Sequence, residues 1–340
     1  MGREGRGVRC QAKERLSHGR SPDNTASMAP SDSSASRPAD PDKRPPRPPR
    51  ILVLGAGGRL GAALVRAWSG RFQVEALGRG DIDVADGIAL EACLRGRPFD
   101  ILVNGTGLTN VDACEVRRSE ALAVNTVAPR IMAAAASARG ARLVHFSTDY
   151  VFDGEKEAPY VEGDPARPLG WYGATKLAGE EAVLADAPTH AVFRVAWVFG
   201  RDKAAFPDQI VARARAEREV LAVADKFSCP TSACDLAGWL EPFFSSSLPG
   251  GLYHACNAGS CSWQEYGQWA LECAASAGIP LRATTVGPQR LADMKCFTAR
   301  RPVHTILSTE KLVRTTGLVP RSWREALRDH FDYAPIPPAC

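Results

Sequence analysis

The sequence predicts an α/β fold, a doubly wound parallel sheet followed by a smaller C-terminal lobe. Three observations predict it. Short, continuous apolar runs alternate with helical patterns from Arg50 onward. The first run ends in a glycine-rich turn that opens a helix. After Gly200 the spacing becomes irregular. Strands that alternate with helices imply βαβ units and a sheet buried on both faces.

The elements follow in order. Ile51-Leu52-Val53-Leu54 reads as a buried parallel strand because it is apolar without alternation. Leu60, Leu64 and Trp68 recur every four residues and mark one helical face. Phe72–Leu77 reads as the second strand, Ile88–Leu94 as a helix and Ile101–Val103 as the third strand. One long Ala-rich helix is expected from about Glu120 to Ala138, then a fourth strand over Leu143–Phe146. A helix over about Tyr172–Ala185 and a strand over Ala191–Val195 complete the alternation. Helices near Phe206–Arg218, Cys234–Phe244, Trp263–Ala277 and Trp323–Phe331 belong to the second lobe.

Composition bounds the rest. The chain has 340 residues, 45% hydrophobic and 24% charged, which is globular. At roughly 150 residues per domain this allows one large or two modest domains. Residues 1–49 hold 8 of the 25 prolines and only Met1, Val8, Leu16 and Met28 as large apolar residues. Such a segment cannot offset its ordering entropy and is expected to be a disordered tail. The expected organisation is therefore a tail over 1–49, a nucleotide-binding domain over 50–200, a mainly substrate-binding lobe over 201–333 interleaved with the sheet, and a tail over 334–340. The net charge of +4 comes from the first 50 residues, with 11 Lys+Arg against 6 Asp+Glu; the remainder sums to −1. A neutral globular part gives no reason to expect a nucleic-acid or anionic-membrane partner. No apolar stretch approaches the ~18 residues of a membrane span. Neither CxxC pairs nor a secretory signal occur, so Cys229/Cys234 and Cys256/Cys261, each pair sharing a four-residue gap, are read as buried, reduced thiols rather than a metal site, which fits a cytoplasmic protein.

The glycine-rich turn reads Gly55-Ala-Gly-Gly58-Arg-Leu-Gly61. The first glycine permits the turn, the second lets a pyrophosphate approach the backbone, and the third lets helix and strand pack closely. The phosphate would rest on free amides at the helix N-terminus. A strand before it and an amphipathic helix after it are the context of a Rossmann-type dinucleotide site. An NAD preference would place Asp or Glu at the end of the second strand. The sequence there is Leu77-Gly78-Arg79-Gly80. Arg79 suits a 2′-phosphate, which favours NADPH with NADH as the alternative. Asp81 and Asp83 lie downstream as further ribose acceptors.

Tyr172 and Lys176 stand four apart on one helical face. A tyrosine hydroxyl near pKa 10 is a poor acid–base group, and a neighbouring ammonium lowers that value. Ser147-Thr148-Asp149 ends the fourth strand, where ligands bind in open α/β sheets. Together these features resemble the extended short-chain dehydrogenase/reductase superfamily. Ser147-Thr148-Asp149-Tyr150-Val151-Phe152-Asp153-Gly154 and Ala299-Arg300-Arg301-Pro302 are similar to the signatures of the dTDP-4-dehydrorhamnose reductase family. Leu108–Asp112, Tyr172–Glu180, Arg194–Gly200 and Pro230-Thr231 follow in family-like order, so the resemblance covers about Arg50–Tyr333.

The resemblance implies NADPH-dependent reduction of dTDP-4-dehydro-L-rhamnose to dTDP-L-rhamnose. It implies that Gly55, Gly58, Arg59 and Leu60 cradle the pyrophosphate and that Asp83 and Val84 lie by the adenosine. Thr106, Gly107 and Thr109 would line the nicotinamide side. Thr148, Tyr172 and Lys176 would form the catalytic triad, and Val111, Tyr150 and Trp197 would contact the deoxysugar. A nucleotide sugar is the implied partner, a homodimer is allowed, and magnesium is left open. Two departures bear on the sugar: Asn104-Gly-Thr-Gly-Leu-Thr109 lacks the family's alanines, and Arg300-Arg301-Pro302-Val303-His304-Thr305-Ile306-Leu307 differs after the proline. Alternatives are another nucleotide-sugar reductase or epimerase, and a non-catalytic regulatory subunit like the methionine adenosyltransferase β subunit. His145 is read as a satisfied core histidine, His254 as structural, and Asn125 either as a support of the active site or as a bend before Pro129.

Overall fold

The computed structural model describes residues 47–245 and 247–332, which lie in the compact unit Arg47–Cys340. The segment read as an N-terminal tail falls outside the described residues except for 47–49, and so does 334–340. Arg47 itself is anchored, with its guanidinium donating to both oxygens of Asp100 at 2.7 and 2.9 Å.

The first half alternates as expected. It runs β1 (Arg50–Leu54), α1 (Arg59–Trp68), β2 (Gln73–Leu77), α2 (Gly87–Arg95), β3 (Ile101–Asn104), α3 (Val111–Val116), α4 (Arg118–Leu122), α5 (Ala128–Ser137), β4 (Arg142–Thr148), α6 (Trp171–Asp186) and β5 (Ala191–Val195). The second half adds β6 (Val198–Phe199), α7 (Phe206–Ala216), β7 (Val220–Val223), β8 (Phe227–Ser228), β9 (Thr231–Ser232), α8 (Ala233–Leu240), β10 (Gly251–His254), β11 (Cys261–Ser262), α9 (Trp263–Ser276), β12 (Val286–Gln289), α10 (Glu310–Thr316) and α11 (Trp323–Asp332).

Six strands form one sheet in the order β10-β5-β4-β3-β1-β2, parallel throughout. The chain leaves β1 toward β2 and then crosses back to β3, so the strand order reverses between β1 and β3. A crevice opens at such a reversal, at the carboxyl ends of the strands. Both faces are covered, which explains the unbroken apolar runs. Ile51 and Val53 pack with α1 and α8 through Leu64, Trp68, Leu236 and Leu240. Leu52 and Leu54 point the other way, onto Leu90, Met132 and Val183 of α2, α5 and α6. A separate core around Ile210, Tyr266, Leu271, Trp323 and Leu327 joins α7, α9 and α11.

One expected helix is not continuous. Between α4 and α5, residues Ala123–Val127 form a π-helical turn. The buried Asn125 accounts for it. Its amide donates to the Leu108 carbonyl at 3.1 Å and to the Thr175 hydroxyl at 3.2 Å, and its oxygen accepts the Leu108 N–H at 2.9 Å. Both readings of Asn125 therefore meet here: it bends the helix and it braces α6. Pro129 follows and removes a backbone donor. π-Turns of this kind concentrate near functional sites. The cysteine reading holds for Cys229, Cys256 and Cys261, which are buried, and needs correction for Cys234, which is exposed. Cys234 faces outward from the first turn of α8, toward the Arg66 guanidinium.

Candidate active site

The phosphate loop is built by close backbone approach. Gly55 adopts φ +81°, a conformation that favours glycine. The Gly55 and Ala56 amides donate to the Leu77 carbonyl at 2.9 and 3.0 Å, fixing the loop to β2. A Cβ on Gly55 would lie 2.7 Å from the Gly105 carbonyl carbon, and one on Gly61 would lie 2.2 Å from the Gly55 oxygen. Gly57, in contrast, has nothing within 4 Å of its Cβ position and opens onto the cleft. Gly58 caps α1 without a side-chain acceptor, so the first amides of the helix face that space. These features fit a dinucleotide pyrophosphate.

The cleft encloses about 1110 Å³ and is lined by the whole expected set. Gly55, Gly58, Arg59 and Leu60 form one end. The Arg59 guanidinium is committed elsewhere, donating to the Lys203 and Ala204 carbonyls at 3.0 and 2.6 Å, which leaves its main chain for the cradle. Arg79 and Asp83 are exposed at the rim and Val84 is buried beneath it. Asp83 accepts from the Ala85 amide at 3.0 Å, and Asp81 accepts from the Gly78 amide at 2.7 Å. Thr106, Gly107 and Thr109 line the wall after β3. Asn104 shapes that wall by accepting from the Thr106 amide at 3.0 Å and its hydroxyl at 2.6 Å.

Thr148, Tyr172 and Lys176 meet in the middle of the cleft. Thr148 ends β4, while Tyr172 and Lys176 share the inward face of the first turns of α6. Burial pushes the Tyr172 hydroxyl above its ordinary range, and a hydrogen bond with Thr148 pulls it back. Burial lowers the Lys176 ammonium to about 8, partly offset by Glu180. Its Nζ donates to the Phe146 carbonyl at 2.5 Å. His145 lies under this group, and burial together with Lys176 holds it neutral. The Asn104 amide donates to His145 Nδ1 at 3.0 Å, so the proton belongs on Nε2. That Nε2 has no partner among the described residues, so this core histidine is only half satisfied.

Val111, Tyr150 and Trp197 line the remaining end. The rings of Tyr150 and Tyr172 meet edge to face at 5.7 Å. Trp197 has φ +43°, the left-handed region, and is the non-glycine residue found there among the described ones. Such a conformation costs about 1–3 kcal/mol and persists where the surroundings enforce it. Here Trp197 stacks on Tyr266 at 6.0 Å and leans on Trp263 at 5.8 Å.

The model of the RmlD substrate binding domain family matches residues 49–334. The chain belongs to that family. A dTDP-4-dehydrorhamnose reductase of Streptomyces griseus is 37% identical over 290 residues, covering 83% of this chain and 93% of the relative. Among solved structures, a dTDP-4-dehydrorhamnose reductase from Clostridium acetobutylicum aligns with TM-score 0.77 and 32% identity, over 83% of this chain and 98% of that one. A second, from Bacillus anthracis in complex with NADP, aligns with TM-score 0.77 and 27% identity, over 84% and 99%. Within this RmlD-type cleft the structure adds walls that periodicity did not single out: Lys203, Phe206, Trp263 and Tyr266. Trp263 and Tyr266 stand three apart at the start of α9, a spacing that marks a shared face but does not distinguish core from cleft.

Proposed function

We propose that this chain reduces the 4-keto group of dTDP-4-dehydro-L-rhamnose with NADPH, giving dTDP-L-rhamnose. The observation that carries the reading is the convergence of Thr148, Tyr172 and Lys176 in one cleft whose far end is the open glycine cradle. In this reading residues 50–200 hold the cofactor and also bring Val111, Tyr150 and Trp197 to the sugar, while residues from 201 onward complete the cleft wall with Phe206, Trp263 and Tyr266.

Gly55, Gly58 and the main chain of Arg59 and Leu60 hold the pyrophosphate. Asp83 and Val84 lie by the adenosine, Arg79 takes the 2′-phosphate, and Thr106, Gly107 and Thr109 flank the nicotinamide. When bound, the cofactor supplies the hydride for the carbonyl carbon. Tyr172 donates its hydroxyl proton to the substrate oxygen as charge develops there. Lys176 stabilises the tyrosinate that this leaves and anchors the nicotinamide ribose. Thr148 holds the substrate oxygen beside Tyr172. Val111, Tyr150 and Trp197 pack on the deoxysugar, with apolar faces toward its ring. Loss of NADPH absorbance on adding dTDP-4-dehydrorhamnose tests this reading. Faster turnover of a different 4-keto nucleotide sugar would assign another sugar, and no turnover of any would favour a binding role.

A further inference from the structure

The helix that carries Tyr172 starts without a side-chain cap of its own. Gly170 precedes α6 and offers no acceptor to the first amides of the helix. Glu115 of α3, 56 positions from Trp171, supplies one. Its Oε1 accepts the Trp171 N–H at 2.6 Å, and Trp171 is the residue before Tyr172. A Cβ on Gly170 would lie 2.8 Å from that same oxygen, so the glycine leaves the room that the carboxylate fills. A carboxylate also suits the positive end of the helix dipole. The Trp171 indole is held from the same side, with Nε1 donating to the Arg118 carbonyl at 3.0 Å. The Arg118 guanidinium in turn donates to Glu115 Oε2 at 3.0 Å.

α3 is itself fixed in place. Asp112 lies three residues before Glu115 and so shares its helical face. It accepts the Thr298 and Ala299 amides, each at 2.8 Å, and the Arg301 guanidinium at 2.9 and 2.6 Å. Cys114 and the Tyr172 ring belong to one small buried cluster, with Val111 packed against it. One short helix therefore grips the loop at 298–301, touches the ring of Tyr172 and holds the start of α6. The tyrosine must bring its hydroxyl within roughly 2.6–3.2 Å of the substrate oxygen. Misplacement by about 1 Å can cost on the order of a hundredfold in rate. The brace from Asn125 acts at Thr175, a turn further along α6, whereas Glu115 acts next to the tyrosine.

We propose that Glu115 is a positioning residue: by accepting the Trp171 N–H it fixes the first turn of α6 and aims the Tyr172 hydroxyl at the substrate. The inference rests on the reduction proposed above. A group that only stabilises the fold lowers the melting temperature and leaves turnover of the folded enzyme intact. A group that acts through Tyr172 loses its effect once the hydroxyl is gone.

The experiment compares the unsubstituted chain, Glu115→Ala, Glu115→Gln, Tyr172→Phe and the double variant Glu115→Ala/Tyr172→Phe. For each, kcat and KM are measured with NADPH and dTDP-4-dehydrorhamnose, well below the melting temperature of every variant. Glu115→Ala is expected to lower kcat by at least about tenfold while KM for NADPH stays within about threefold. Glu115→Gln keeps an oxygen acceptor at the same reach and should hold kcat within about threefold of the parent. In the Tyr172→Phe background, Glu115→Ala should cost no more than about threefold further, because residues that act as a unit are not additive. If Glu115→Ala does not fold, Glu115→Asp takes its place in both backgrounds. It is one methylene too short to keep the Trp171 contact, and kcat should fall by at least about fivefold. A Glu115→Ala or Glu115→Asp protein at the parent rate, a Glu115→Gln protein as slow as either, or losses that simply multiply in the double variant overturn the proposal and leave the function standing. An unsubstituted chain that reduces no 4-keto sugar overturns both.

Discussion

Gly61→Ala probes the geometry on which the cofactor site depends. The new Cβ would fall 2.2 Å from the Gly55 oxygen, 2.8 Å from the Gly55 carbonyl carbon and 3.0 Å from the Ala56 Cα. Real Cβ contacts essentially never fall below 3.0 Å, and all three neighbours are backbone. The start of α1 must therefore move away from the glycine loop by about 1 Å, since rigid backbone cannot rotate aside as a side chain would. Overpacking of this kind costs about 1–3 kcal/mol. For a chain of this size that corresponds to roughly 2–10 °C in melting temperature. The same shift separates the α1 amides from the loop and should weaken NADPH by at least about tenfold, the usual consequence of losing a charge-assisted phosphate contact. Gly57→Ala is the contrasting variant, because its Cβ meets nothing within 4 Å. It should keep the parent melting temperature and still weaken NADPH, by filling the cradle. Both quantities follow from NADPH fluorescence titration and thermal melts. A Gly61→Ala protein with parent stability and parent NADPH affinity refutes the close-approach argument.

Three further outcomes are expected. Arg79→Ala should raise KM for NADPH roughly ten- to a hundredfold and leave KM for NADH nearly unchanged; equal effects would mean that Arg79 never meets the 2′-phosphate. Trp197→Ala should raise KM for the sugar nucleotide while NADPH affinity holds; unchanged constants with a lowered melting temperature would make Trp197 a core residue. Burial lowers Lys176 to about 8, and in the proposed mechanism the charged form is the one that stabilises tyrosinate, so turnover should fall as pH rises through that value. Lys176→Met should be slow at every pH with that limb flattened, and a parent profile level from pH 7 to about 10 would contradict the role.

The strand–glycine–helix unit was legible because it is written in adjacent residues. Ile51 and Val53 face one layer, Leu52 and Leu54 the other, and the turn that follows admits only small residues at Gly55 and Gly61. Tyr172 and Lys176 were legible for the same reason, as a spacing of four on one helix. The π-turn at Ala123–Val127 was not, because an Ala-rich segment reads as one helix. Its cause is Asn125, bonded to residues 17 and 50 positions away. The partnership of Asp149 with Ser228 and Thr305 spans 79 and 156 positions, and no local periodicity registers it. The aromatic wall at Phe206, Trp263 and Tyr266 was visible as residues but not as a wall. It forms only when α7 and α9 pack beside the strand that ends near Trp197.

The central claim is that Tyr172 delivers the proton, and Tyr172→Phe tests it with the loss of one oxygen. The ring stays against Tyr150, so packing changes little. The Lys176 ammonium and the Gly55–Gly61 loop remain, so NADPH should bind as before. Turnover of NADPH and dTDP-4-dehydrorhamnose, measured in a single-turnover experiment, should fall by roughly a hundredfold or more. A Tyr172→Phe protein that reduces the 4-keto sugar at the parent rate would contradict the account.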